Sequence, residues 1–422
     1  MSFKENAEEI RDRAGRAMVH RDRSMIGPSY IYDENILNGN GSSYSAEVRN
    51  YQGIPSIEVT KKGRLFTVFY TGKDDEGPGN YLLLQKSDDG KSFGKPFMAV
   101  VPTTEGVRCF DPDLWCSPDG RLHLYWNQSY GYFDGRSGVW CATCDDPDAD
   151  EPRFGAPKRI ANGVMMCKPI EKSNGEWLLP AAVWPMRPFY DEPDCDGGTA
   201  WQELENRYID GIGFYQMPEE THPNVYISRD KGESWELYGH TDDFNRMFPE
   251  HMVFEKKDGT LGMYVRTGIR GSKLGYAESK DGGATWSNGV LSDIYNPCTR
   301  FCIRRLPSGR LLLINHLLGE KPQRNNLTAF ISEDDGESWC SHIVLDERCE
   351  VSYPDFAISP DGYIYAIYDY NRYIDKEILV AKFTEADVLA GKLISEGSEL
   401  RIPVCKALGI NPREIADKDK TN

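Results

Sequence analysis

SKDGGATW, residues 279–286, has near-copies at 228–235 (SRDKGESW) and 332–339 (SEDDGESW). Their tryptophans stand 51 and 53 residues apart. A fourth copy, KSDDGKSF at 86–93, departs from the pattern only in opening with lysine instead of serine. The residue types explain the motif. Asp and Ser side chains bond nearby backbone N–H groups, Gly permits positive φ, and the aromatic ring covers the turn. These are structural hairpin turns rather than metal or substrate sites.

Around them runs a quieter repeat that spans the whole chain. Six polar-Gly turns separate β-rich runs, with glycines at Gly63, Gly120, Gly175, Gly259, Gly309 and Gly362. The runs after them, such as RLFTVFY, RLHLYW, RLLLIN and YIYAIYDY, are rich in β-branched and aromatic residues, as strands are. Each unit of about 50 residues therefore holds one Gly hairpin followed, in most cases, by one Asp-type hairpin. Two hairpins make a four-stranded blade, and six blades make a propeller. The expected fold is all-β, a six-bladed β-propeller. The intervals between glycines are 57, 55, 84, 50 and 53, so the third unit carries an insertion, assigned to 188–219. That acidic, aromatic segment has the profile of a loop covering a site. A charged helix is expected over 4–19, within a lead-in of 1–50. The propeller is expected over 51–400, with a short helix at 385–393, and a charged tail over 401–422.

Composition narrows the partners. A net charge of −17 argues against nucleic acid or an anionic membrane, which attract basic surfaces. No apolar run is long enough for a membrane helix. The first residues are charged and lack the apolar core of a secretory signal, so a cytoplasmic location is expected. Eleven cysteines, an odd number scattered along the chain, read as reduced thiols. No His-Glu-x-x-His motif occurs, and neither a metal site nor a cofactor is expected. Homo-oligomer formation is left open.

Equivalent positions in six repeats form rings around one channel mouth. Nine residues before the hairpin glycines stand Asp111, Met166, Glu250, Arg300 and Tyr353, with Gly53 one step further out in the first unit. Seven residues after them stand Tyr70, Asn127, Ala182, Arg266, His316 and Asp369. Such a convergence of ionisable groups beside apolar strands marks a polar site.

In these residues the chain resembles the sialidase (neuraminidase) superfamily with its Asp-box repeats, from about residue 51 to 384. The family places a glutamate sixteen residues before an arginine across a hairpin, as Glu250 and Arg266 stand in EHMVFEKKDGTLGMYVR. It carries a second arginine before an Asn-Leu-Thr strand, matched by Arg324 in QRNNLTAFISEDDG. Its tyrosine precedes the last hairpin, as Tyr353 does in SYPDFAISPDG. One departure stands out. Where the family opens with Arg-Ile-Pro, this chain reads Gly53-Ile-Pro, so the first arginine of the carboxylate-gripping triad is absent. One charge-assisted contact is worth about 1.5–3 kcal/mol. Arg108 or Arg300 is the expected substitute; otherwise the sugar is not sialic acid. The chain is most similar to a group of sialidase-like glycosyl hydrolases sharing Gly-Ile-Pro-Ser, Phe-Asp-Pro-x-Leu-Trp and Glu-His-Met, here at 53–56, 110–115 and 250–252.

The resemblance implies a tyrosine nucleophile, Tyr353, with Glu250 as its base and the two side chains within hydrogen-bond reach. It implies a general acid on the loop TGKDDEGPGN, where Asp74, Asp75 and Glu76 stand and counting favours Glu76 or Asp75. Arg266, Arg324, Arg108, Asp111, Arg300, His251 and His316 are the expected substrate-binding residues. The expected function is an exo-glycoside hydrolase on a terminal, acidic sugar. Two alternatives stand beside it: a lyase acting on uronate-containing polysaccharide, and a non-catalytic carbohydrate-binding propeller.

Overall fold

The computed structural model describes residues 27–33, 44–73, 75–131, 133, 135–184, 220–242, 248–267 and 273–415. Within them six antiparallel sheets form the six blades of a propeller. The innermost strands are Tyr51–Val59, Val107–Cys116, Ile170–Glu171, His251–Glu255, Cys302–Arg305 and Val351–Ile358. Each hairpin glycine lies between an innermost strand and the second strand of its blade, with φ between +85° and +96°. An L side chain rarely adopts that conformation, which is why the turns are legible as glycines. Inner strands are packed between neighbouring blades, so all nine residues of Tyr51–Val59 are buried.

The Asp-type turns join third to fourth strands. Ser279 Oγ donates to Asp281 Oδ1 (2.8 Å) and accepts from Gly283 N (2.8 Å), while Asp281 accepts from Thr285 N (2.9 Å). The same bonds recur at Ser228/Asp230 and Ser332/Asp334. The first blade corrects the sequence alignment. Its working pair is Ser87 and Asp89, with Ser87 Oγ accepting from Gly90 N, so this copy is one residue shorter and Lys86 is not its first position.

Tyr30–Asp33 adds a fifth strand to the outer edge of blade one, pairing with Met98–Val101. Glu399–Lys406 forms the outer strand of blade six, so the boundary expected at 400 falls inside a strand. Beyond it the chain still docks: Leu408 N donates to Ala46 O (2.7 Å) and Asn411 Nδ2 to Asn50 O (2.8 Å). A short helix, Glu385–Ala390, is closed by a Thr384/Asp387 capping box and by Gly391 in the left-handed region. The helix expected over 4–19 and the insertion at 188–219 lie outside the described residues, as does Asp74.

The ring closes between blades six and one by side-chain bonds rather than a shared sheet. Asp355 Oδ2 accepts from Ser56 Oγ (2.5 Å) and Ile57 N (3.0 Å), and lies 2.9 Å from Lys168 Nζ of blade three. One carboxylate thereby ties three blades together across the channel. Burial and the neighbouring Asp355 push the Asp113 carboxyl up to about 8, whereas the cations Lys168 and Arg300 hold Asp355 low.

Candidate active site

Three inner strands carry the same irregularity. The pairing register shifts between Gly53 and Ser56, between Phe110 and Asp113, and between Ser352 and Asp355. At these bulges Ile54, Asp111 and Tyr353 have φ of +50°, +43° and +53°, each nine residues before its hairpin glycine. Bulky residues held at positive φ store strain, and bulges re-aim side chains next to functional sites. In blade one the equivalent position is thus Ile54.

Tyr353 is 6% exposed and lies among guanidinium groups. Arg266 Nη1 is 3.5 Å from its hydroxyl, Arg324 lies over its ring at 5.0 Å and Arg372 at 4.8 Å. Arg266 also pairs with Glu250 Oε1 and donates to Cys298 Sγ (3.2 Å), and Arg324 donates to the Cys298 carbonyl (2.6 Å). Cys298 itself has φ +56°. The expected hydrogen bond between Glu250 and Tyr353 is replaced by a bridge, because the Arg266 guanidinium occupies the place between them. Glu250 Oε2 is buried and makes no hydrogen bond among the described residues. Burial pushes this carboxyl up, opposed by Arg266, Arg324 and Arg300.

Arg372, which the repeat did not point to, fills the space beside Gly53. A Cβ there would stand 2.3 Å from Arg372 Cδ and 2.9 Å from Asp369 Oδ2. Arg372 pairs with Glu76 Oε1 (2.9 Å), and Asp369 is fixed by Ser352 Oγ (2.6 Å) and Ile54 N (2.8 Å). The two expected substitutes have other partners. Arg300 donates to the carbonyls of Pro55 (2.5 Å) and Tyr353 (2.8 Å), lining the channel wall behind the tyrosine. Arg108 lies over the Phe110 ring at 3.8 Å and 3.6 Å from Glu76.

The loop acids separate cleanly. Glu76 faces inward to Arg372, Arg108 and Tyr51, whereas Asp75 pairs with Arg413 (2.9 Å) at the edge. Asp111 is an acid whose surroundings favour its neutral form. It is 3% exposed, its Oδ1 makes no hydrogen bond among the described residues, and burial, reinforced by Glu76 and Glu250, holds its carboxyl well above the usual range despite Arg108.

Both histidines depart from expectation. His251 has its two ring nitrogens against the carbonyls of Pro249 (3.0 Å from Nδ1) and Asn224 (2.6 Å from Nε2). His316, pushed by burial down to about 4, bonds the Asn325 carbonyl through Nδ1 (2.7 Å) and lines a separate cleft between blades four and five, of about 540 Å³. Neither ring is spent on the tyrosine.

Residues 63–366 match the BNR repeat-like domain family. No curated protein matches the chain. Among solved structures, a Dyadobacter fermentans protein of unknown function is similar at 19% identity and TM-score 0.58, covering 77% of this chain and 92% of its own. The intramolecular trans-sialidase from Ruminococcus gnavus is similar at 14% identity and TM-score 0.59, covering 86% and 98%. The Hadza microbial sialidase Hz136 is similar at 17% and 0.55, covering 76% and 63%. At these identities the likeness is one of fold.

Proposed function

The chain belongs to the BNR repeat-like domain family, and on that premise we propose that it is a sialidase-like exo-glycoside hydrolase acting on a terminal sugar that bears a carboxylate. The observation that carries this reading is the enclosure of Tyr353 by Arg266, Arg324 and Arg372. Arg266 and Arg372 already pair with Glu250 and Glu76, whereas Arg324 pairs with no carboxylate among the described residues, and a substrate carboxylate seated between the three would supply that counter-charge. Arg372 takes the place that Arg108 or Arg300 was expected to fill. In this scheme Tyr353 attacks the anomeric carbon as its proton passes to Glu250 Oε2, and Arg266 moves toward the incoming carboxylate. The leaving oxygen needs an acid. Asp111, whose burial favours the protonated form, suits that role better than Glu76, which pairs with Arg372 and Arg108.

A second reading has one specific observation behind it. Arg266, not Glu250, stands nearest the Tyr353 hydroxyl, an arrangement that favours tyrosinate as a base removing the proton α to a uronate carboxylate. A panel of aryl glycosides and oligosaccharides with terminal acidic sugars separates the two. Hydrolysis releases the free sugar, whereas elimination releases an unsaturated uronate that absorbs in the ultraviolet. Binding without either product would leave a non-catalytic carbohydrate-binding propeller.

A further inference from the structure

On the outer rim of blade three, two imidazoles and a carboxylate converge. His222 Nδ1 lies 3.3 Å and His240 Nε2 3.5 Å from the same oxygen, Asp242 Oδ1. The two rings stack at 4.5 Å with 28° between their planes, and one donor atom from each of the three residues lies within 4.8 Å of the others. Strand geometry explains the convergence. Asn224 pairs with His240 across the antiparallel ladder, so extending that register places His222 opposite Asp242. His240 and Asp242, two residues apart, share one face.

The backbone holds this arrangement in place. Pro223 biases His222 toward an extended conformation. The Asp242 carbonyl accepts from Gly289 N of blade four (3.2 Å), and Thr241 Oγ1 donates to Ser287 O (2.8 Å). Donors around a tetrahedral ion with bonds of 2.0–2.1 Å lie about 3.3–3.4 Å apart, close to the two distances found.

We propose that His222, His240 and Asp242 form a binding site for a divalent transition-metal ion, with zinc as its first candidate. Two imidazoles and one carboxylate suit zinc, copper or nickel and discriminate against calcium and magnesium, which take oxygen ligands. Three protein ligands leave coordination positions open to water. The ion would clamp the start of the strand Asn224–Ser228 to the chain leaving Glu236–His240. Since the Asn224 carbonyl bonds His251, beside Glu250, the clamp would brace the rim of the mouth.

The test uses the full chain after treatment with chelator and dialysis. Titration with Zn2+ by calorimetry is expected to give one ion per chain, with affinity lower in acid, where protons compete with the metal for its ligands. His222→Ala and His240→Ala should each weaken binding at least ~10-fold, because a ligand is lost outright. Both side chains lie partly or largely in solvent, so folding should survive, and an unchanged circular dichroism spectrum checks it. Co2+ is expected to give visible d–d bands without the near-ultraviolet charge transfer of thiolate ligation. Absence of binding, equal affinity in the variants, or a thiolate band pointing to the cysteines would each overturn the proposal.

Discussion

Gly53 has no side chain, and the aliphatic stem of Arg372 passes through the space a Cβ would take. Gly53→Ala should therefore displace Arg372 and raise KM for an acidic substrate about tenfold, the worth of one charge-assisted contact, with kcat much less affected. In an Arg372→Ala background the same change should cost nothing further; additive losses in the double variant would dissociate the two residues. The sequence could not reveal this pairing. Arg372 follows the second strand of blade six in a loop and holds none of the repeated positions, whereas Tyr353, Glu250 and Arg266 do. Asp111 supplies a second residue-scale test. Its carboxyl is raised in the folded chain, so above about pH 4 the native state binds more protons than the unfolded one, and stability falls as pH rises through the folded pKa. Urea denaturation at pH 5 and pH 8 should show Asp111→Asn with the shallower pH dependence. Equal slopes would mean that Asp111 is charged in the folded protein.

At the scale of the element, the turns were the most readable part of the chain. Positive φ at six glycines and a carboxylate satisfying local N–H groups both leave fixed residue types at fixed spacing. The blade-one copy misled by one position because Ser87 and Asp89 serve a shorter turn, and identity alone favours the longer alignment. Bulges were not legible, since Ile54 and Tyr353 at positive φ break no visible pattern. The Asp281 carboxylate is held down to about 2 by its bonds to Thr285 and Ser279. Asp281→Ala should lower Tm by about 2–4 °C near neutral pH. A depressed pKa gives stability above the unfolded value near 3.9 that is lost as pH falls toward 2, so the difference from wild type should shrink in acid. A Tm difference that stays constant down to pH 2 would show that the charged form contributes nothing.

The whole molecule depends on charges that the repeat reading placed elsewhere. Arg300 was expected at the mouth because it shares the position of Glu250 and Tyr353, yet its guanidinium reaches across the channel to backbone carbonyls of other blades. Lys168 and Asp355 carry no sequence mark as single residues, since a salt bridge between blades leaves no local sequence signal. Asp355→Ala should cost about 3 kcal/mol, because it removes the nearer of the two carboxylates on the buried Lys168, leaving Glu58, and opens the junction between blades six and one. Asp355→Ala with near wild-type stability in urea would place ring closure in other contacts.

The proposed hydrolysis requires a carboxylate held beside Tyr353. A crystal structure of Tyr353→Phe, which keeps the ring and its packing, grown with an acidic monosaccharide tests this most directly. The carboxylate should lie about 3 Å from Arg266, Arg324 and Arg372 together, with the anomeric carbon facing the position of the missing hydroxyl. A sugar whose carboxylate points to solvent, or one seated away from these three arginines, would contradict it.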